Sequence, residues 1–338
     1  MSRARWIQSR RHDVALALLW VPFAVIAHVL ENSPRSLGTF VAFVFLISFM
    51  HQPLTLGLVY GDRAQFDRKP VTYVLAPLIF VGLVTAGLMV SLVLVAAIAG
   101  LWNAEHTLMQ RYGITRLYGR KGGDDHGNLE KPMLVSWLVL ALVVTAASVR
   151  TPHLVKKLGM GSTNAPAVHL LTNLRPVATW LLVPVVAVVV VLAARWVAAE
   201  RSLGAAANPA KHLYVASTAV LFAVMIFDPI AGLVAYVASH AVEYFVIVHR
   251  SLTGRVVRND PSPVARASAT RLRRVLLYSG YLGAIWAFAA ITYNLHGGEV
   301  YRFALLFLGG LHILYDGFIW KLRRPAVAAS LGLDAVAA

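Results

Sequence analysis

The chain has 338 residues, 58% of them hydrophobic and only 14% charged, with a net charge of +16 and no cysteine. A soluble domain carries about a quarter charged residues, so lipid is the natural solvent for most of this chain. The lack of thiols excludes disulfides, thiolate metal ligands and Cys-ligated iron–sulfur clusters, and arginines placed between apolar runs, not in a separate basic domain, set nucleic acid aside as a partner.

In chain order the apolar runs are about 14–31, 38–59, 71–111, 132–149, 176–197, 212–228, 230–249, 273–294 and 301–320. They lack the two-residue alternation of a membrane barrel, so helices are predicted. The first run follows a basic stretch, Met1 to Arg11, as in a signal peptide. No small-residue cleavage site follows it, so it is read as a retained first helix. The third run is too long for one span, since about forty helical residues reach roughly 60 Å, twice the hydrocarbon thickness. A turn near Thr85–Ser91, where Gly82 and Gly87 loosen the pattern, divides it in two.

Charge supports that division. With ten spans the basic segments at 3–11, 63–69, 111–131, 195–211, 250–274 and 321–324 share one side, leaving Arg35, Arg150, Lys156, Lys157, Arg175 and Arg302 on the other. The positive-inside rule then puts both termini in the cytoplasm. The expected architecture is an all-α polytopic transmembrane helical bundle of about ten spans. One domain covers 1–324. Within it 112–131 and 250–272 are cytoplasmic linkers and 150–175 is the longest outer loop; 325–338 is a disordered Ala-rich tail.

Charged groups inside a span are costly and are functional candidates. Glu105, Glu243 and Asp316 lie in spans, each near a histidine. His106 and Gln110 are four residues apart, as are His312 and Asp316; His240 and Glu243 are three apart. Such pairs share a helix face. His51 adds a fourth histidine, on span two. Spans two, four, eight and ten run in one direction, and their histidines sit roughly 9–15 Å from the cytoplasmic ends, a single layer in the inner half of the membrane.

Imidazole, carboxylate and amide donors suit iron, zinc or manganese. The metal-ligand candidates are His51, His106, Gln110, His240, Glu243, His312 and Asp316; the catalytic candidates are Glu105, Glu243, Tyr244 and Tyr315, the tyrosines as hydrogen-bonding partners of a bound ligand. One or two iron ions in such a layer fit an oxygenase, hydroxylase or desaturase acting on a lipid, isoprenoid or hydrocarbon that arrives through the bilayer. Membrane lipids and an apolar small molecule are then the partners. Two other readings stand beside it: a proton- or metal-ion-coupled transporter, for which Pro53, Pro77 and Pro184 would break helices, and a bis-His haem protein. Gly57, Gly309 and Gly310 are expected to permit close helix packing, and His28 and His296 to lie outside the site.

The phrases His106-Thr-Leu-Met-Gln-Arg-Tyr-Gly, Ser239-His-Ala-Val-Glu-Tyr-Phe and His312-Ile-Leu-Tyr-Asp-Gly-Phe-Ile-Trp-Lys resemble recurring motifs of a poorly characterised family of bacterial polytopic His-rich membrane proteins. That resemblance runs from about His51 to Arg323 and implies a bacterial inner (plasma) membrane. In layout the chain is also loosely similar to the Brp/Blh-type β-carotene 15,15′-dioxygenases, membrane enzymes with iron held by histidines on several helices. It departs from them in having Glu243 three residues after His240 where they have paired histidines four apart.

Overall fold

The computed structural model describes residues 5–124, 126–157, 165–295 and 298–333. Every regular element among these residues is helical. Ten helices are long and apolar enough to cross a bilayer, which makes the chain an integral membrane protein. They are α1 (Arg10–Leu30, interrupted at Leu18 and Leu19), α2 (Pro34–Tyr60), α3 (Pro70–Val90), α4 (Leu92–Gly122) and α5 (Gly127–Ala147), then α6 (Ala165–Ser202), α7 (Pro209–Phe227), α8 (Pro229–Val257), α9 (Arg271–Asn294) and α10 (Glu299–Ile319).

The long third run divides at Ser91, which leaves the helix with φ −167° and ψ 115°. Its hydroxyl accepts from the Leu94 N–H at 3.3 Å and so opens α4. The most apolar helix, α6, leaves Trp180, Val183 and Val190 exposed. A soluble fold would bury them; a helix in lipid gains nothing by doing so.

Several connections differ from the sequence pattern. Residues 112–122, expected as a linker, continue α4 for about three turns. They stay helical because Ile114, Leu117 and Tyr118 have something to bury against, the Tyr118 and Tyr214 rings lying 5.9 Å apart. Residues 250–257 likewise continue α8, with Ser251 and Leu252 buried. The tail is not wholly irregular: Pro325–Ser330 is a helix whose Ser330 hydroxyl bonds that of Ser251 at 3.0 Å. Residues 334–338 lie outside the described residues, as do 158–164 of the expected outer loop and His296.

The helices fall into two compact units. The first comprises residues 1–44 and 104–240. In it α5 packs along α6, α7 packs on α5, and Trp20, Leu108, Met133, Leu221, Phe222 and Tyr236 form the core. The second comprises residues 45–103 and 241–338. There α10 packs on α3 and α9, around Val59, Tyr73, Val248, Leu311 and Tyr315.

Two of the three glycines singled out from sequence sit at close approaches. Gly309 lies against Gln52, and a methyl group at Gly310 would overlap the Phe80 ring of α3, while Gly57 has open space around it. Gly310→Ala is therefore expected to destabilise the second unit by about 1–3 kcal/mol, the usual cost of overpacking. Thermal unfolding in detergent measures it, and Phe80→Ala added to Gly310→Ala should recover part of the loss.

Candidate functional site

In the second unit, α2 and α10 each present an i, i+4 pair. Those of α2 are His51 and Thr55, those of α10 His312 and Asp316, and all four are buried. The pairs meet face to face. His51 Nε2 and His312 Nε2 are 3.1 Å apart. Thr55 Oγ1 lies 2.7 Å from His312 Nδ1 and donates to Asp316 Oδ1 at 2.8 Å. From α8, the Tyr244 hydroxyl donates to the same Asp316 oxygen at 2.9 Å and lies 2.5 Å from Thr55 Oγ1. Trp320 Nε1 donates to Tyr244 at 3.4 Å. Polar groups this deep in apolar helices persist only when they satisfy one another, and here one hydroxyl serves three partners.

Proton bookkeeping orients the imidazole. The Thr55 hydrogen is directed to Asp316, so its lone pairs are free to accept His312 Nδ1–H. In the neutral ring the lone pair then belongs to Nε2, the nitrogen that faces His51. Asp316 Oδ2 stands 3.8 Å from that same nitrogen. Nε2 atoms 3.1 Å apart would allow His51 and His312 to hold one metal ion together.

No protein-family model, curated protein or solved structure matches the chain. The side chains themselves therefore carry the functional argument.

The first unit holds the other two histidines. His106 on α4 and His240 on α8 are buried with ring centroids 5.0 Å apart and planes at 90°. Gln110, a candidate ligand, donates its amide to the His240 carbonyl at 3.0 Å and so fastens α4 to α8. Next to it Arg111 is buried, donating to Ser239 at 2.8 Å and Thr218 at 3.3 Å and lying over the Tyr214 ring. Glu243 is fully buried on α8, whereas Glu105, a catalytic candidate from the sequence, is exposed on α4. Tyr315 does not face Asp316. Adjacent helical residues point about 100° apart, and its hydroxyl lies 2.8 Å from that of Tyr60 and donates to the Tyr73 carbonyl at 3.2 Å. Tyr315 is a packing residue between α10 and α3, not a neighbour of the His51–His312 pair.

Sequence reasoning passed over a second polar cluster, in the first unit, where the C-terminal ends of α4 and α6 meet the N-terminal ends of α5 and α7. The Lys211 ammonium is buried among three carboxylates, at 2.5 Å from Glu130, 2.5 Å from Glu200 and 3.0 Å from Asp124. Arg116 bridges Asp124 and Glu130 at 3.1 and 3.0 Å. His126 and His212 approach opposite oxygens of Glu200 at 3.0 and 2.8 Å. Burial pushes the Asp124 carboxyl up, but Lys211 and Arg116 outweigh it and hold it below the usual carboxylate range. Asp124, His126 and Glu200 have metal-ligand spacing, yet the ammonium already supplies the positive charge at their centre. At the other end of the same unit, His28 pairs with Asp228 at 2.7 Å.

Proposed function

We propose that the protein is a metal-dependent membrane enzyme, a non-haem iron oxygenase, hydroxylase or desaturase, with His51 and His312 as metal ligands. The observation that carries the reading is the pair of Nε2 atoms 3.1 Å apart with Asp316 behind them. Two imidazoles and a carboxylate are the donor set of the mononuclear iron oxygenases, which leave coordination positions open. Zinc or manganese accepts the same donors. Bound there, iron would supply oxygen activation. Thr55 holds the His312 tautomer, Tyr244 and Trp320 hold the Asp316 carboxylate, and the surrounding apolar helices exclude bulk water. Substrates able to reach a site at that depth are lipids, isoprenoids or hydrocarbons that diffuse in the bilayer. Of the remaining sequence candidates, Glu243 is proposed as polar support within the same unit, while His106, Gln110 and His240 belong to the first unit. The basic helix ends are proposed to face the cytoplasm, and the membrane to be a bacterial inner one.

Elemental analysis of the detergent-purified chain tests the reading. About one iron per chain, with spectra that respond to reductant and oxygen, is the expected result; metal well below one per chain in every preparation defeats it. Thr55→Val is expected to weaken metal retention by about 10–100-fold, the usual effect of removing a hydrogen bond that orients a ligating histidine. A chelator titration of the wild type against the variant measures this.

A proton-coupled transporter is the second reading. It is favoured by the continuous hydrogen-bonded chain Trp320–Tyr244–Asp316–Thr55, although α2 runs unbroken through Pro53 where the sequence suggested a break. Proton flux in proteoliposomes with no bound metal would reverse the order.

A further inference from the structure

The α9 end of the second unit carries positive charge that no carboxylate among the described residues neutralises. From Pro261 to Gly298 the sequence holds four arginines, Arg266, Arg271, Arg273 and Arg274, and no acidic residue. Neighbouring arginines are engaged: Arg255 pairs with Asp62 at 2.6 Å, and Arg274 donates to Thr253 at 3.0 Å. Among the described residues Arg266, Arg271 and Arg273 pair with no carboxylate, and all three are exposed. Arg266 and Arg273 line one open groove of about 570 Å³, formed by the short helix Pro263–Ala267 and the first turns of α9. Arg273 reaches back to the Arg266 carbonyl at 3.5 Å, which sets the two guanidinium groups on one groove.

The floor of that groove is different chemistry. Leu276 and Leu277 line it, and Leu272, Val275 and Leu276 are exposed along the same stretch of α9. Arginine forks stand where the polar segment ends, and bare leucine follows one turn further into the span. The positive end of the α9 dipole adds to the field there. Free phosphate would satisfy the arginines and leave the leucines without a role. A molecule with a phosphate at one end and an acyl chain at the other satisfies both.

We propose that this groove is a binding site for an anionic phospholipid, with Arg266 and Arg273 on the phosphate and Leu276 and Leu277 against the acyl chain. The site is separate from the His51–Thr55–Tyr244–His312–Asp316 cluster and stands whether or not that cluster binds metal.

The test uses the full chain in dodecyl maltoside micelles, followed by thermal unfolding with dioleoylphosphatidylglycerol, dioleoylphosphatidylcholine or inorganic phosphate at equal concentration. Phosphatidylglycerol is expected to raise the unfolding temperature above that in phosphatidylcholine, and R266Q/R273Q to remove at least about half of that difference. R175Q/R302Q, on other segments, should keep it. Should R266Q/R273Q fail to fold, R266K/R273K keeps the charge and loses the fork. Its phosphatidylglycerol retained through purification should fall about threefold, read by native mass spectrometry. Undiminished selectivity in R266Q/R273Q, undiminished retention in R266K/R273K, or a shift reproduced in full by inorganic phosphate would overturn the proposal.

Discussion

Lys211→Ala is expected to cost the folded state about 3–5 kcal/mol, the range for removing one partner from a buried ion pair. The substitution leaves Asp124, Glu130 and Glu200 around the space of one ammonium, with Arg116 bonded to only two of them. Lys211→Met keeps most of the volume and should cost nearly as much, which separates lost charge from lost packing. The pH dependence gives a second signature. In the wild type the Asp124 carboxyl is held below its ordinary range, so its contribution is present above the unfolded value of about 4 and is lost as pH falls through the folded value. In Lys211→Ala the sign reverses, because protonating one of the crowded carboxylates relieves the site. The gap in unfolding temperature between variant and wild type should therefore narrow from pH 7 toward pH 5. A gap that stays constant or widens would mean the ammonium is not the cluster's principal counter-charge.

That cluster also shows where reading the sequence stopped. Long apolar runs fix helices because a backbone in lipid has few alternatives, and the side-by-side count of basic segments located the break that the structure has at Ser91. The same rule treats lysine and arginine at span ends as solvated. Nothing in the spelling of Arg116, Asp124, Glu130, Glu200 and Lys211 says that four helix ends converge and bury them. The linker expectations failed for a related reason. Gly113, Gly119 and Arg120 look like loop residues until Ile114, Leu117 and Tyr118 find a surface to bury against.

The candidate site was legible where its residues carry charge or an imidazole. His312 and Asp316 announce themselves by spacing, and each of the four histidines lies against another histidine of its own unit. Thr55 did not announce itself. A threonine in a span is usually bonded to its own helix, and only its position four residues after His51 marked it. Trp320 lies just past the last span, where a tryptophan ordinarily anchors at the interface, and it donates to Tyr244. Tyr315 precedes Asp316 by one residue, yet its hydroxyl is directed to Tyr60 and Tyr73, because neighbours in sequence leave a helix on different faces.

His312→Ala is expected to reduce bound metal to background, the largest functional effect of any single change. Its Nε2 is the one atom common to the short contacts with His51 and Asp316, and its Nδ1 is the anchor that Thr55 holds. Alanine also leaves Thr55 without one of its three partners, so some loss of stability accompanies the loss of metal. His28→Ala controls for that, since His28 is engaged with Asp228 and should change metal content little. His51→Ala sharpens the result. It removes the facing nitrogen but leaves the Thr55–Tyr244–Asp316 triangle whole, so metal should fall with little change in unfolding temperature. If His51→Ala keeps its metal while His312→Ala loses it only in step with unfolding, the 3.1 Å contact is a hydrogen bond between two rings and not a pair of ligands. Equal metal loss across His28→Ala, His51→Ala and His312→Ala would point to the fold as the common cause. Loss confined to the two facing imidazoles, with the Tyr244 ring that both of them touch left in place, puts the metal between them.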